Sequence, residues 1–126
     1  MHSVIKKIGV LFFSVALLLS CSKIPPTNNT ISCQFTDTVG QPLTKDQSVQ
    51  YTAGTTGTGG SISTLTYLDS AGNTTVQNPV LPFITHVNLK KNTRANISAK
   101  GTANLGGQLL IYITADSIQT GNGCNN

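Results

Sequence analysis

No stretch of this chain holds its apolar residues in helical register for ten residues. Short β-branched and aromatic segments instead alternate with clusters of Gly, Asn, Asp and Pro. The candidate strands are Ile31–Thr36, Ser48–Ala53, Ile62–Asp69, Asn73–Gln77, Phe83–Leu89, Arg94–Lys100 and Gln108–Ala115, with a short closing piece near Ser117–Gln119. Several run with period two. Val49, Tyr51 and Ala53 alternate with polar neighbours, as do Phe83, Thr85, Val87 and Leu89 against Ile84, His86 and Asn88, and Ala95, Ile97 and Ala99 against Arg94, Asn96, Ser98 and Lys100. Such alternation marks a strand with one face in a core and one in water. Gln108–Ala115 is apolar on both faces and is expected at a central position. About seven short strands point to one antiparallel β-sandwich of immunoglobulin-like type.

The turns expected between them follow from residue type. Asp69-Ser-Ala-Gly-Asn73 reads as a hairpin turn, with Gly72 free to take positive φ. Lys90–Thr93 reads as a tight connection between two alternating strands. Gly54–Gly60 and Gly101–Gly107 read as flexible loops; the first lacks the Lys and following helix of a phosphate cradle.

Composition narrows the class. Only 10% of the 126 residues are charged, with four Asp and no Glu, whereas Gly supplies 12 positions. A coiled coil or helix bundle needs a composition this chain lacks, a charged disordered tail is excluded, and the length allows one domain.

Residues 1–20 read as an export signal. Lys6 and Lys7 precede the apolar run Ile8–Leu19, too short for the roughly 20 residues that span a bilayer. The ending Leu18-Leu19-Ser20-Cys21 resembles a bacterial lipobox, in which the Cys is acylated and becomes the first mature residue. The resemblance implies diacylglycerol and palmitate on Cys21, enough acyl chain for a stable anchor. Ser22 stands where Asp would retain an enterobacterial lipoprotein in the inner membrane, which points to the outer membrane of the cell envelope. Residues 21–32, stiffened by Pro25 and Pro26, read as a lipidated tether, and 33–126 as the sandwich. Without Lys6 and Lys7 the mature chain holds six basic and four acidic side chains, a formal +2. That weak charge on an exported protein does not suit nucleic acid.

Cys33 and Cys124 remain. In an oxidising compartment they are expected to form a disulfide joining the two ends of the domain; a redox pair and two free thiols are the alternatives.

The order of motifs from Val49 to Asp116 resembles the mycobacterial membrane protein S (MmpS) family. The motifs are Val49-Gln-Tyr51, Leu65-Thr-Tyr-Leu-Asp69 with Gly72, Val80-Leu-Pro-Phe83, Ala95-Asn-Ile-Ser-Ala99, and Leu109–Ile113 before Ala115-Asp116. The resemblance implies a small extracytoplasmic β-sandwich that assists a lipid-exporting transporter. The chain departs from that family in its anchor, a lipobox in place of a transmembrane helix, in Phe83 where Trp is usual, and in Ser117 where Gly is common.

Catalytic signatures are sparse. His86, the one histidine after the signal segment, faces outward on its strand and lacks companion metal ligands. No G-x-S-x-G elbow and no paired carboxylates are present. The expectation is a non-enzymatic protein without a cofactor. Lys90, Lys91, Arg94 and Lys100 fall on one expected hairpin; they are a candidate surface for lipid phosphates or an acidic partner, or simply a solvated hairpin protected from edge pairing. Three of the four Asp open Asp-Ser/Thr-aliphatic triplets, at Asp37-Thr38-Val39, Asp69-Ser70-Ala71 and Asp116-Ser117-Ile118. These look like the O-glycosylation acceptor motif of exported Bacteroidetes proteins, which would place glycans on Thr38, Ser70 and Ser117; Asp-Ser and Asp-Thr also favour turns for their own reasons. The function expected is that of a binding or accessory module of the envelope, serving a transporter or lipid export. The alternative is a structural, O-glycosylated surface lipoprotein with no dedicated ligand.

Overall fold

The computed structural model describes residues 29–116 and 118–126. The segment read as an export signal, Cys21, most of the segment read as tether, and Ser117 lie outside them. The described chain is all β, in eight strands: β1 (Thr30–Thr38), β2 (Gln47–Gly57), β3 (Gly60–Asp69), β4 (Gly72–Gln77), β5 (Phe83–Leu89), β6 (Asn96–Asn104), β7 (Gly107–Ala115) and β8 (Ile118–Asn125). They form two four-stranded sheets, β1-β6-β3-β4 and β5-β2-β7-β8, with every pair antiparallel. This is the expected sandwich. The pairs β2–β5 and β3–β6 are those of the second with the fifth and the third with the sixth strand of an immunoglobulin sandwich. The first, fourth and seventh strands lie in the other sheet: β1 beside β6, β4 beside β3 and β7 beside β2.

The period-two faces point where they were expected. Val49, Tyr51 and Ala53 from β2 are fully buried, and Ile97 and Ala99 face them from β6. Leu65 on β3 and Leu109, Ile111 and Ile113 on β7 complete the centre of the core. Each such aliphatic side chain contributes about 1.5–3 kcal/mol when taken out of water. Tyr51 stacks at a tilt on Tyr67, with centroids 5.2 Å apart, and Tyr67 leans on Phe83 at 6.1 Å. Strand β3 breaks the alternation because its register shifts between Ile62 and Thr64. The bulge adds one residue, so Ile62, Leu65 and Tyr67 all reach the core although they are not evenly spaced. β7 takes the expected internal place, between β2 and β8. Its second apolar face is not covered by a further layer; Tyr112 and Leu110 instead lie across β8, where a Cβ on Gly121 or Gly123 would run into them.

Three expectations change. The closing piece is longer than Ser117–Gln119, since β8 runs eight residues to Asn125 along the whole of β7. Strand β1 begins at Thr30, so the sheet reaches into the segment read as tether. The two Gly-rich segments are not flexible loops. β2 continues to Gly57, β6 continues to Asn104, and each passes into the other sheet through two residues, Thr58-Gly59 and Leu105-Gly106. The two corners lock together: Gly57 pairs with Gly107, the Asn104 amide donates to the Gly59 carbonyl at 3.0 Å, and the Asn104 side chain donates to the Thr58 carbonyl at 3.1 Å. A Cβ on Gly60 or Gly101 would collide with a backbone carbonyl of the neighbouring strand, and one on Gly57 or Gly107 with a carbonyl of the opposite corner, Gly106 or Gly59. The glycines are there for close backbone approach.

One side of the sandwich is sewn shut. Cys33 and Cys124 form a disulfide between β1 and β8, with Cα atoms 6.0 Å apart. The Asn122 side chain donates to the Thr36 carbonyl at 2.9 Å, and the Thr120 hydroxyl donates to Asp37 at 3.1 Å. Strands 1 and 8 are thus joined by side chains where no backbone ladder connects them.

Candidate functional site

The strand directions give the sandwich two unlike ends. At one end lie the link from β1 to β2 (39–46), the β3–β4 turn, the crossing from β5 to β6 (90–95) and the β7–β8 turn. At the other lie Asn29, the two glycine corners, the link 78–82 and Asn126. All four aspartates and every basic residue except Lys100 fall at the first end, among the described residues. Among the described residues no charged side chain lies near Asn29.

The charged end is built by two segments that hydrogen-bond as irregular backbone. The Leu43 amide donates to the Thr93 carbonyl and the Asn92 amide to the Leu43 carbonyl, both at 2.8 Å, and the Val39 amide donates to the Ala95 carbonyl at 3.0 Å. Val39 and Leu43 turn inward and close the core, each only 1% exposed. Asn92 takes a positive φ of 69° at the tip of the crossing, a conformation Asn tolerates better than most residues. Asp46 caps the crossing: its carboxylate accepts from the Lys91 amide at 2.7 Å and pairs with the Lys90 ammonium at 3.5 Å. The Lys91 backbone bond is the main reason its carboxyl is held below the ordinary range. Lys45 pairs with Asp116 at 2.8 Å, and that contact raises the Lys45 pKa. Both ion pairs are solvated and hold side chains in place more than they stabilise the fold.

This geometry corrects the expected basic hairpin. β5 and β6 belong to opposite sheets, so Lys90–Arg94 is a crossing between layers, not a hairpin turn. The reason is that Val87 and Leu89 enter the core from one sheet and Ala95 and Ile97 from the other. Lys90, Lys91 and Arg94 remain neighbours in an exposed segment. Lys100 does not join them. It sits midway along β6, paired with Gln34 and Thr64, on a Ser/Thr-rich outer sheet face. Beside it lie two shallow depressions lined by Ser32, Gln34, Ser63 and Thr102 and by Thr36, Thr64, Thr66 and Ser98.

The three Asp-Ser/Thr triplets, scattered in sequence, meet at the same charged end: Asp37-Thr38 closes β1, Asp69-Ser70 opens the β3–β4 turn, and Asp116 opens the turn into β8. Thr38 and Ser70 are exposed. The Asp69 carboxylate accepts from the Ser70 amide at 2.6 Å, and Asp116 has φ 47°. Asp37 differs in kind. It is 8% exposed, and one of its carboxylate oxygens has no partner. In the sequence it is only the start of a triplet; its burial comes from the β1–β8 seam, which no local pattern announces.

His86 shares a 3.1 Å hydrogen bond with Gln50 across the β2–β5 pair. Among the described residues no three His, Cys, Asp or Glu side chains gather around a common point. No protein family, curated protein or solved structure matches the chain.

Proposed function

We propose that this protein is a non-enzymatic lipoprotein of the cell envelope, anchored by acylated Cys21 in the outer membrane, and that its charged end docks a partner. The observation that carries the reading is the polarity of the sandwich: the chain enters at an uncharged end and presents Lys90, Lys91 and Arg94 on a capped crossing at the opposite one. Such a segment, held by Asp46 and by the Leu43 backbone, offers cationic groups at low ordering cost to an acidic protein surface or to lipid phosphates. The MmpS-like order of motifs supports a transporter accessory role in lipid export. The test is cross-linking in intact cells followed by mass spectrometry of everything attached. An envelope transporter subunit or lipid, captured by the native protein and lost when Lys90, Lys91 and Arg94 are changed to Ala, is the expected result.

A second reading is favoured by the meeting of the three Asp-Ser/Thr triplets at that same end. Glycans on Thr38, Ser70 and Ser117 would then crown a structural surface lipoprotein with no dedicated ligand. Recovery of only the lipidated, sugar-bearing protein would support it; a native mass accounted for by lipid alone would remove it.

A further inference from the structure

We infer that the sandwich stands on the membrane through its uncharged end, with Val80 and Leu105 seated in the headgroup layer of a phospholipid surface. The inference rests on the lipid anchor proposed for Cys21. Three observations carry it.

The first is reach and exit point. Asn29 follows Cys21 by eight residues, a maximum of roughly 27 Å of extended chain. Its carbonyl accepts a 2.8 Å hydrogen bond from the Asn126 side chain, which also donates to the Ala103 carbonyl at 3.0 Å. The anchored chain therefore joins the domain beside the glycine corners.

The second is what that end displays. Val80 is 86% exposed and Leu105 59% exposed. They are the two most exposed large apolar side chains among the described residues, and they come from different links. Neither is a loose loop residue. Val80 stands between half-buried Pro79 and Leu81, on a link pinned where the Asn78 amide donates to the Ser63 carbonyl at 2.8 Å. Leu105 is at the tip of a turn whose carbonyl accepts from the Thr58 hydroxyl at 2.5 Å, and the next amide, of Gly106, donates to the Asn126 carbonyl. A single exposed aliphatic side chain is ordinary on a protein surface; these two count because both are held in place at the end where the anchored chain joins the domain.

The third is charge. An aspartate pressed against a bilayer would be desolvated and, on an anionic leaflet, repelled. All four aspartates are at the far end, and the groups around Val80 and Leu105 are neutral amides, hydroxyls and backbone. A protein partner could match such a surface too, but the anchor brings a lipid surface within reach of every molecule.

The chain has no Trp, so single tryptophans report position cleanly. Full-length lipidated protein carrying Val80→Trp, Leu105→Trp or Lys91→Trp is reconstituted in vesicles of phosphatidylethanolamine and phosphatidylglycerol with brominated acyl chains. The expected result is that Trp at 80 and at 105 is quenched severalfold more strongly than Trp at 91. All three positions are on the surface, and a far-ultraviolet strand spectrum with a cooperative thermal transition, matching those of the parent protein, shows that each variant is folded. If Cys21 is acylated and the protein floats with the vesicles, but positions 80 and 105 are no more quenched than 91, the seating is overturned and the anchor stands. If Cys21 is unacylated and the protein does not float, the anchor fails and the seating with it.

Discussion

The Thr120 hydroxyl donates a 3.1 Å hydrogen bond to Asp37 across the sewn side of the sandwich, and among the described residues it is the one side-chain partner of a nearly buried carboxylate. Burial raises the Asp37 pKa above the ordinary value of 3.8, while the bonds from Thr120 and from the Thr38 backbone pull it back only in part. The folded protein thus binds this proton more tightly than the unfolded chain. The associated stability is full below pH 3.8 and is lost as pH rises through the folded-state pKa. Asp37→Asn is expected to leave the urea midpoint unchanged at pH 3 and to raise it at pH 7. An unchanged midpoint at pH 7 would show that the ionised carboxylate costs the fold nothing.

The disulfide closes a loop with a sequence separation of 91. In the chain-entropy model such a cross-link contributes about 4–5 kcal/mol, an upper figure. The double variant Cys33→Ser, Cys124→Ser is expected to lose a large part of this in urea denaturation. A reductant should have the same effect on the native protein and none on the variant.

The corners distinguish close approach from flexibility. Gly107→Ala puts a Cβ against the Gly59 carbonyl and is expected to destabilise the domain by about 1–3 kcal/mol through overpacking. Gly54 has no atom within 4 Å of a would-be Cβ, and Gly54→Ala should be neutral or stabilise by about 0.4–1 kcal/mol by stiffening the unfolded chain. Equal effects at the two positions in thermal unfolding would contradict the locked corner.

Tyr51 carries a polar tip into the core. Its hydroxyl donates to the Leu68 carbonyl at 2.8 Å, and burial pushes its pKa up to about 12. Tyr51→Phe keeps the ring contact with Tyr67 and removes only that bond. The expected cost is about 1 kcal/mol, with the loss of a tyrosine step near pH 12 in an ultraviolet titration.

Asp46 should govern the order of the basic crossing. Its carboxyl titrates below the ordinary range chiefly because the folded state supplies the Lys91 amide. The contact is present above the unfolded value of 3.8 and is lost as pH falls through the lower folded value. Asp46→Ala is expected to abolish hydrogen-exchange protection of the Lys91 amide at neutral pH while protection in β6 is kept. If docking at Lys90, Lys91 and Arg94 depends on a preset segment, the same variant weakens partner capture without removing a cation.

Much of the fold is legible in the residues alone, because a strand's faces are a local property. Alternation put Val49, Tyr51, Ala53, Ile97 and Ala99 in the core, and the cysteines lie near the two ends of the domain and bond there. Partnership between strands is not local. The chain order does not say that β5 and β6 belong to opposite sheets, which is why Lys100 does not adjoin Lys90, Lys91 and Arg94. Nor does a run of glycines say whether it bends freely or lets two backbones touch; that depends on Gly59 meeting Gly107 from distant segments. Strand β8, with Gly121, Asn122 and Gly123 in its middle, has little intrinsic strand preference and is extended because β7 supplies a ladder and the seam to β1 holds it there. The sequence by itself determined the strand class, the core faces and the polar composition. Only the tertiary structure decided which ends those strands share, gathering the four aspartates and most of the cations among the described residues at one end and leaving Val80 and Leu105 at the other, since strand direction in an antiparallel sandwich is set by long-range pairing.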